Sequence, residues 1–317
     1  MDQKLPHRRL NQLTGDYVLV SPHRATRPWS GQQEETAAKL DIAYDKGCYL
    51  CPGNTRVSGH KNPDYKGTYV FQNDTPAILD EKCQEVNEGL FQKTAVTGTC
   101  RVICYSEHHS RTMADMGVGE IQQVIETWRS EFLELGERFK WVQIFENKGA
   151  MMGCSNPHPH GQIWASNHIP NEGLKEDQSQ LTYQKKTGKV LLLDYIEQEL
   201  CAKERIVVEG DHWVVVVPYW AAWPFETLIT PKQHLAHMGP MCAESIRDLA
   251  HVLQQLTSSY DNLFGVSFPY SFGWHNAPTI QESHEYWQLH GHFYGTLKVA
   301  ANDGERARER VCVRVSE

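Results

Sequence analysis

Apolar residues recur at helical spacing in two stretches of the chain. Ile121, Val124, Ile125, Trp128, Phe132 and Leu135 fall on one face, and Ile246, Leu249, Ala250, Leu253 and Leu256 repeat the pattern. They predict amphipathic helices over 118–139 and 243–257, each packing one face on a sheet. Elsewhere the apolar positions gather in short runs rich in β-branched and aromatic residues. These predict strands over 68–71, 101–105, 141–145, 162–165, 205–208, 213–217, 227–230, 266–272 and 288–294. Val208 and Trp213 flank Glu209-Gly210-Asp211-His212, a hairpin signal, and tight loops of this kind favour antiparallel pairing. Strands and helices do not alternate strictly, so the class is α+β.

The order of elements repeats. The first half reads strand, polar turn with His109, helix, strand, then His158-Pro159-His160 entering a strand. The second reads strand, polar turn with His234, helix, strand, then a strand with His290-Gly291-His292. This predicts two related halves, 1–170 and 171–317. Residues 172–176, after Pro170, are expected in the connection, and 303–317 as a charged surface tail.

Composition narrows the function. The chain has 317 residues, enough for one large domain or two smaller ones. A net charge of −8 argues against a general nucleic-acid binder, though not against a small anion held by a local cluster. The start carries no apolar core of a secretory signal, and the longest apolar stretch, 213–223, is broken by Pro218. A soluble, cytoplasmic protein with no membrane partner is expected. Nine cysteines include one tight pair, Cys48-Tyr49-Leu50-Cys51, which in a reducing compartment suggests metal or redox chemistry.

Five groups of residues are candidates for chemistry. On a strand, His158, His160 and Gln162 share a face, with neighbours about 6–7 Å apart. Gly149, Gly153 and Ser155 precede them in a loop whose backbone N–H groups can approach an anion. Neutral imidazole beside phosphate donors suits attack on phosphorus; the other readings are a metal-chelating pair or solvated loop histidines. Cys48 and Cys51 supply half of a structural zinc site, for which His109 and His158 are available. They also read as buried free thiols or, less well, as a redox pair. His290 and His292 share a strand face, His275 ends the preceding strand, and Glu176 would complete a set suited to iron or zinc; hydrogen-bonded core histidines are the alternative. Arg24 and Arg27 form a phosphate fork or a solvated loop. Asn73 and Asp74 are turn formers or ribose contacts.

Long segments make a family resemblance specific: HRRLNQLTGDYVLVSPHRATRPW (7–29), GTYVFQND (67–74), WVQIFENKGAMMGCSNPHPHGQIWAS (141–166), VVPYWAAWPFETL (216–228), YDNLFGVSFPYSFGWH (260–275) and EYWQLHGHFYG (285–295). The chain resembles the galactose-1-phosphate uridylyltransferases of the histidine-triad superfamily. The resemblance implies two histidine-triad-like halves forming a largely antiparallel sheet flanked by helices. It implies ping-pong transfer of UMP from UDP-glucose to galactose 1-phosphate through a uridylyl-histidine at His160. It further implies zinc on Cys48, Cys51, His109 and His158, and iron or zinc on Glu176, His275, His290 and His292. Substrate contacts are implied for Arg24, Arg27, Asn73, Asp74, Asn147, Gly153, Cys154, Ser155 and Gln162, in a homodimer with shared active sites. After Tyr294 the chain departs from the family, whose Lys-Phe and Tyr-Glu contacts to the sugar phosphate have no counterpart. Weakened sugar-phosphate binding with His160 chemistry intact is therefore an expectation. A related nucleotidyl hydrolase or phosphorylase, and a non-catalytic binding protein, are the rival readings.

Overall fold

The computed structural model describes residues 5–23, 41–279 and 284–295. The Arg24/Arg27 fork and the 303–317 tail lie outside the described residues. Within them a small hairpin, β1 (His7–Leu10) and β2 (Tyr17–Val20), precedes β3 (Tyr69–Gln72), the hairpin β4 (Val86–Glu88) and β5 (Phe91–Lys93), and β6 (Gly98–Cys104). Then come α1 (Val118–Gly136), β7 (Trp141–Lys148), β8 (His160–Ser166), α2 (Asn171–Thr187) and α3 (Leu191–Ala202). The chain continues with β9 (Ile206–Glu209), β10 (Trp213–Val216), β11 (Thr227–Pro231), α4 (Ala243–Phe264), β12 (Tyr270–His275) and β13 (His290–Gly295).

Nine strands form one antiparallel sheet in the order β3-β6-β8-β7-β12-β13-β11-β10-β9. The repeat is visible in this order. The strand–helix–strand–strand unit β6-α1-β7-β8 lies as β6-β8-β7, and β11-α4-β12-β13 lies in mirrored order as β12-β13-β11. The two units meet at the β7–β12 pair, where Asn147 faces Ser271 in register. His160 and His290 are each the first residue of the corresponding strand, and each is followed by glycine.

One face of the sheet carries α1 and α4. Their periodic residues, including Trp128 and Leu253, pack with Ile103, Ile144, Ile163, Trp274 and Phe293 in a single core spanning both units. This burial is the main stabilising term of the fold. The other face is covered at its two ends among the described residues, and α2 reaches it at β12 and β13 through Glu176. The lobe 41–67 packs Leu50, Cys51 and Tyr65 on Val102 and Cys104. Helix α3 packs Leu191, Leu192 and Ile196 on Val214, Val216 and Leu228.

One sequence expectation is refined and one corrected. Residues 172–176 lie in the connection between the two units, and that connection is helical there, within α2. That helix has no apolar stripe: its buried positions are Gly173, Glu176 and Gln180, so the helical period is carried by residues that hydropathy does not register. The strand expected over 266–272 begins only at Tyr270. Gly265 ends α4 in the left-handed conformation, and the Phe268 amide is spent on the Asp261 side chain. Pro269 has no amide to offer a ladder, so pairing starts after it. Among the described residues no helix is long and apolar enough to cross a membrane.

Candidate active site

Between the covered ends of the sheet, three strands keep every second residue only half-buried. These are Gln143, Phe145 and Asn147 on β7, His160, Gln162 and Trp164 on β8, and Ser271, Gly273 and His275 on β12. Strand alternation places all of them on one face, where they floor a trough. The residues between them point into the helix-side core.

His160 stands in this trough. Its Nδ1–H donates to the His158 carbonyl at 2.7 Å, which fixes the tautomer and leaves the Nε2 lone pair available. Burial holds the ring below the usual histidine range, so it is neutral at pH 7. Gln162 Oε1 accepts the Trp164 indole N–H at 3.0 Å, so its amide NH₂ is the end left to donate to a ligand. The Asn147 side chain accepts from the Ser271 hydroxyl at 2.6 Å.

The segment 149–155 forms a loop at the mouth of β8. Gly149 and Gly153 have φ of +91° and +81°, a region that side chains disfavour, and a 3-10 turn, Ala150–Met152, joins them. Cys154 is half-buried and its thiol donates to the Asn156 carbonyl at 3.0 Å, while Ser155 is exposed. Asn156 escaped the sequence reading. It is buried, its Oδ1 accepts the His158 amide at 2.9 Å, and that oxygen lies 3.5 Å from Cys48 Sγ. An Asx residue two before a histidine is a turn signal of this kind.

Cys48, Cys51, His109 and His158 converge, with their donor atoms within 4.8 Å of one another and all four side chains buried. Cys51 Sγ is 3.5 Å from both His109 Nδ1 and His158 Nδ1. The knuckle is held by side-chain amides: Asn54 bonds the Cys48 carbonyl and Asn62 the Cys51 carbonyl. His158 Nε2–H donates to the Ser106 carbonyl at 2.9 Å, which turns its Nδ1 lone pair toward the sulfurs. Burial pushes the Cys51 thiol up to about 11. Two buried thiols facing two imidazole lone pairs fit a tetrahedral soft cation that displaces the thiol protons.

A second cluster lies further along the same face. Glu176 on α2, His275 on β12, and His290 and His292 on β13 bring their donor atoms within 4.8 Å. His275 Nδ1 is 2.8 Å from Glu176 Oε2. His290 Nδ1–H donates to the Gln288 carbonyl at 2.8 Å, aiming Nε2 at the cluster. That Nε2 lies 3.6 Å from Glu176 Oε2, too far for a good hydrogen bond, and His292 Nδ1 is buried without a hydrogen-bond partner. Burial alone would raise the Glu176 carboxyl, but the His275 and His290 rings hold it well below the usual range. Orphaned imidazole nitrogens around an ionised carboxylate fit a divalent metal with N/O preference.

Asn73 and Asp74 sit apart from this group, just beyond edge strand β3. Asn73 Oδ1 accepts the Thr75 amide, and Asp74 pairs with Arg56 at 3.2 Å.

Two predictions arise from the helix side of the same strands. A Cβ on Gly161 would stand 2.4 Å from the Tyr105 hydroxyl and 3.0 Å from the Phe145 carbonyl. Gly161→Ala is therefore expected to destabilise the fold by about 1–3 kcal/mol. Tyr105→Phe in the same chain should restore part of that loss in a urea-denaturation cycle; strict additivity would refute the clash. The second concerns Glu146, opposite Phe272 on the helix side. Burial pushes its carboxyl up to about 7, against the pull of Lys148 and of the Tyr270 hydroxyl, which donates to it at 3.1 Å. The remaining titratable group facing it is Tyr105. The native chain holds this proton to higher pH than the unfolded chain, so raising pH from about 4.5 to 7 favours unfolding. Relative to Glu146→Gln, wild type should lose about 3 kcal/mol across that window and change no further above it. Equal stability differences at pH 5 and 8 would contradict this.

Residues 1–170 match the family described as galactose-1-phosphate uridyl transferase, N-terminal domain, and residues 176–302 match its C-terminal domain. A galactose-1-phosphate uridylyltransferase of Haemophilus influenzae is 53% identical over 294 residues, covering 92% of this chain and 84% of that protein. One of Rattus norvegicus is 46% identical, covering 92% and 78%. Among solved structures, one titled "Structure of uridylyltransferase" superposes with a TM-score of 0.74 at 24% identity, over 98% of this chain and 97% of that one. An ADP-glucose phosphorylase from Arabidopsis thaliana shares the fold with a TM-score of 0.73 at 23% identity, over 99% and 98%. With both halves matched and nearly half or more of the residues identical to these relatives, the chain belongs to the galactose-1-phosphate uridylyltransferase family.

Proposed function

We propose that this chain exchanges UMP between UDP-glucose and galactose 1-phosphate through a covalent intermediate on His160. The observation that carries the reading is a neutral imidazole in the trough whose Nδ1–H is tied to the His158 carbonyl. His160 Nε2 attacks the α-phosphorus in line. An N–P bond forms, the bond to the bridging oxygen breaks, and glucose 1-phosphate leaves with that oxygen. A phosphate oxygen of galactose 1-phosphate then attacks the same phosphorus, the N–P bond breaks, and UDP-galactose leaves. One difficult displacement becomes two easier ones.

Charge on the phosphoryl oxygens grows in each transition state. The Gln162 amide and the hydroxyl and N–H of Ser155 are the donors for it, preorganised by the Trp164 bond and by the turn in which the Gly153 and Cys154 amides bond the Ala150 and Gly149 carbonyls. The His158 carbonyl stabilises the cationic imidazole ring while UMP is attached. Asn147, Asn73, Asp74, Arg24 and Arg27 complete the substrate contacts in this reading. Zinc at Cys48, Cys51, His109 and His158 would supply rigidity under His160, since His158 belongs to both arrangements. Iron or zinc would occupy Glu176, His275, His290 and His292. The active form in this reading is a cytoplasmic homodimer whose sites draw on both subunits, which sedimentation of the purified chain tests.

The reaction class is tested by isotope exchange. Labelled glucose 1-phosphate should enter UDP-glucose in the absence of galactose 1-phosphate, because the first half-reaction runs alone and reverses. UMP release without exchange would make the chain a hydrolase; nucleotide binding without either would remove catalysis altogether.

A further inference from the structure

The loop that leads to His160 is anchored from the other half of the chain. Lys148 is the last residue of β7 and directly precedes Gly149. Its side chain points away from the trough and is 8% exposed. The ammonium lies 3.0 Å from Asp261 Oδ1 and 5.2 Å from the centre of the Tyr270 ring. Asp261 stands on the last turn of α4, and the same Oδ1 accepts the Phe268 amide at 2.9 Å. One carboxylate thus joins the end of β7 to the connection between α4 and β12.

That connection touches the loop itself. A Cβ on Gly149 would stand 2.9 Å from Pro269 Cβ, so the first loop residue lies directly against Pro269. Tyr270 follows, paired in register with Lys148. Glycine at 149 serves two needs at once: its φ of +91° and its contact with Pro269. A buried ion pair is a poor source of net stability, because apolar residues of similar volume avoid its desolvation cost. Its directional bonds fix position instead.

We propose that Asp261 and Lys148 are positioning residues for the 149–155 loop. They set the position of the Ser155 N–H and hydroxyl relative to His160, so the second half of the chain holds the phosphate-binding loop of the first. Neither side chain touches the substrate. The kinetic part of this inference rests on the reading of His160 as nucleophile; the structural part does not.

The test uses the full chain, with Asp261→Asn and the double variant Lys148→Met with Asp261→Leu, which removes both charges together. Amide hydrogen exchange is followed peptide by peptide. The single-turnover rate constant for UMP transfer from UDP-glucose is measured alongside its half-saturation. Amides of 149–155 should exchange at least tenfold faster in both variants, with β7 and β8 unchanged. The saturating rate constant should fall about 10- to 100-fold with half-saturation within threefold, as expected when a donor array is displaced by a fraction of an ångström to an ångström. Loop exchange and rate within twofold of wild type in a folded double variant would overturn the proposal. So would faster exchange spread evenly over β7, β8 and β12. If Asp261→Asn does not fold, the double variant decides. If wild type takes no label from UDP-glucose, the nucleophile reading fails, and the exchange measurement still judges the anchor.

Discussion

His160→Ala is expected to reduce UMP transfer by at least about 10⁴-fold, the scale seen when a nucleophile is removed and only binding and charge stabilisation remain. The loss should appear in the rate constant rather than in half-saturation, since the loop, Gln162 and the trough walls stay in place. The fold should be nearly unaffected. The ring is half-buried and its hydrogen bond is to a carbonyl, so truncation leaves no deep cavity. Nucleotide binding measured by calorimetry should therefore survive in a variant that no longer exchanges glucose 1-phosphate. A variant with more than about a hundredth of wild-type exchange would show that another group attacks phosphorus.

Cys51→Ser carries the second large effect, and it acts on structure first. Cys51 is fully buried and lies against both imidazoles of its cluster. A hydroxyl there is a weak soft-metal ligand and a poor core residue. The variant is expected to lose its zinc stoichiometry by elemental analysis and about 10 °C of melting temperature. Activity should fall with it, by about 10²-fold. The His158 ring belongs to the cluster while its backbone carbonyl orients His160, so freeing one loosens the other. Full zinc content with unchanged melting temperature would show that the four side chains do not act as a metal site. A drop in melting temperature with unimpaired exchange would separate the cluster from the chemistry.

The parts of this molecule that were legible in its sequence are those where hydropathy and chemistry coincide. Helices α1 and α4 bury ordinary apolar stripes, and both came out of the 3.6-residue period. His158-Pro159-His160 and Cys48-Tyr49-Leu50-Cys51 are short, unusual and local. What was not legible depends on partners distant in the chain. The apolar pattern carries strand β7 only as far as Phe145, since Glu146-Asn147-Lys148 is polar. The strand runs on to Lys148 because Tyr270 and Asp261, more than a hundred residues later, receive the ionisable side chains of Glu146 and Lys148 in the core. Helix α2 was missed for the same reason. Its buried face presents Glu176 to three histidines and Gln180 to the Gln288 amide, so its inward residues are polar. Asn156 joins the loop to the cysteine cluster through one side-chain oxygen, and no spacing rule announces that. Two related halves were implied by the repeat, but their strand order, its mirrored arrangement and the pairing of β7 with β12 that brings Asn147 beside Ser271 are facts of the fold alone.

The most direct test is to mix the wild-type chain with UDP-glucose, quench in base, digest, and locate the adduct by mass spectrometry. A single UMP on the peptide containing His160, released when galactose 1-phosphate is added before the quench, is the predicted result. UMP on any other side chain, or product formation with no covalent adduct at any time, would contradict the account.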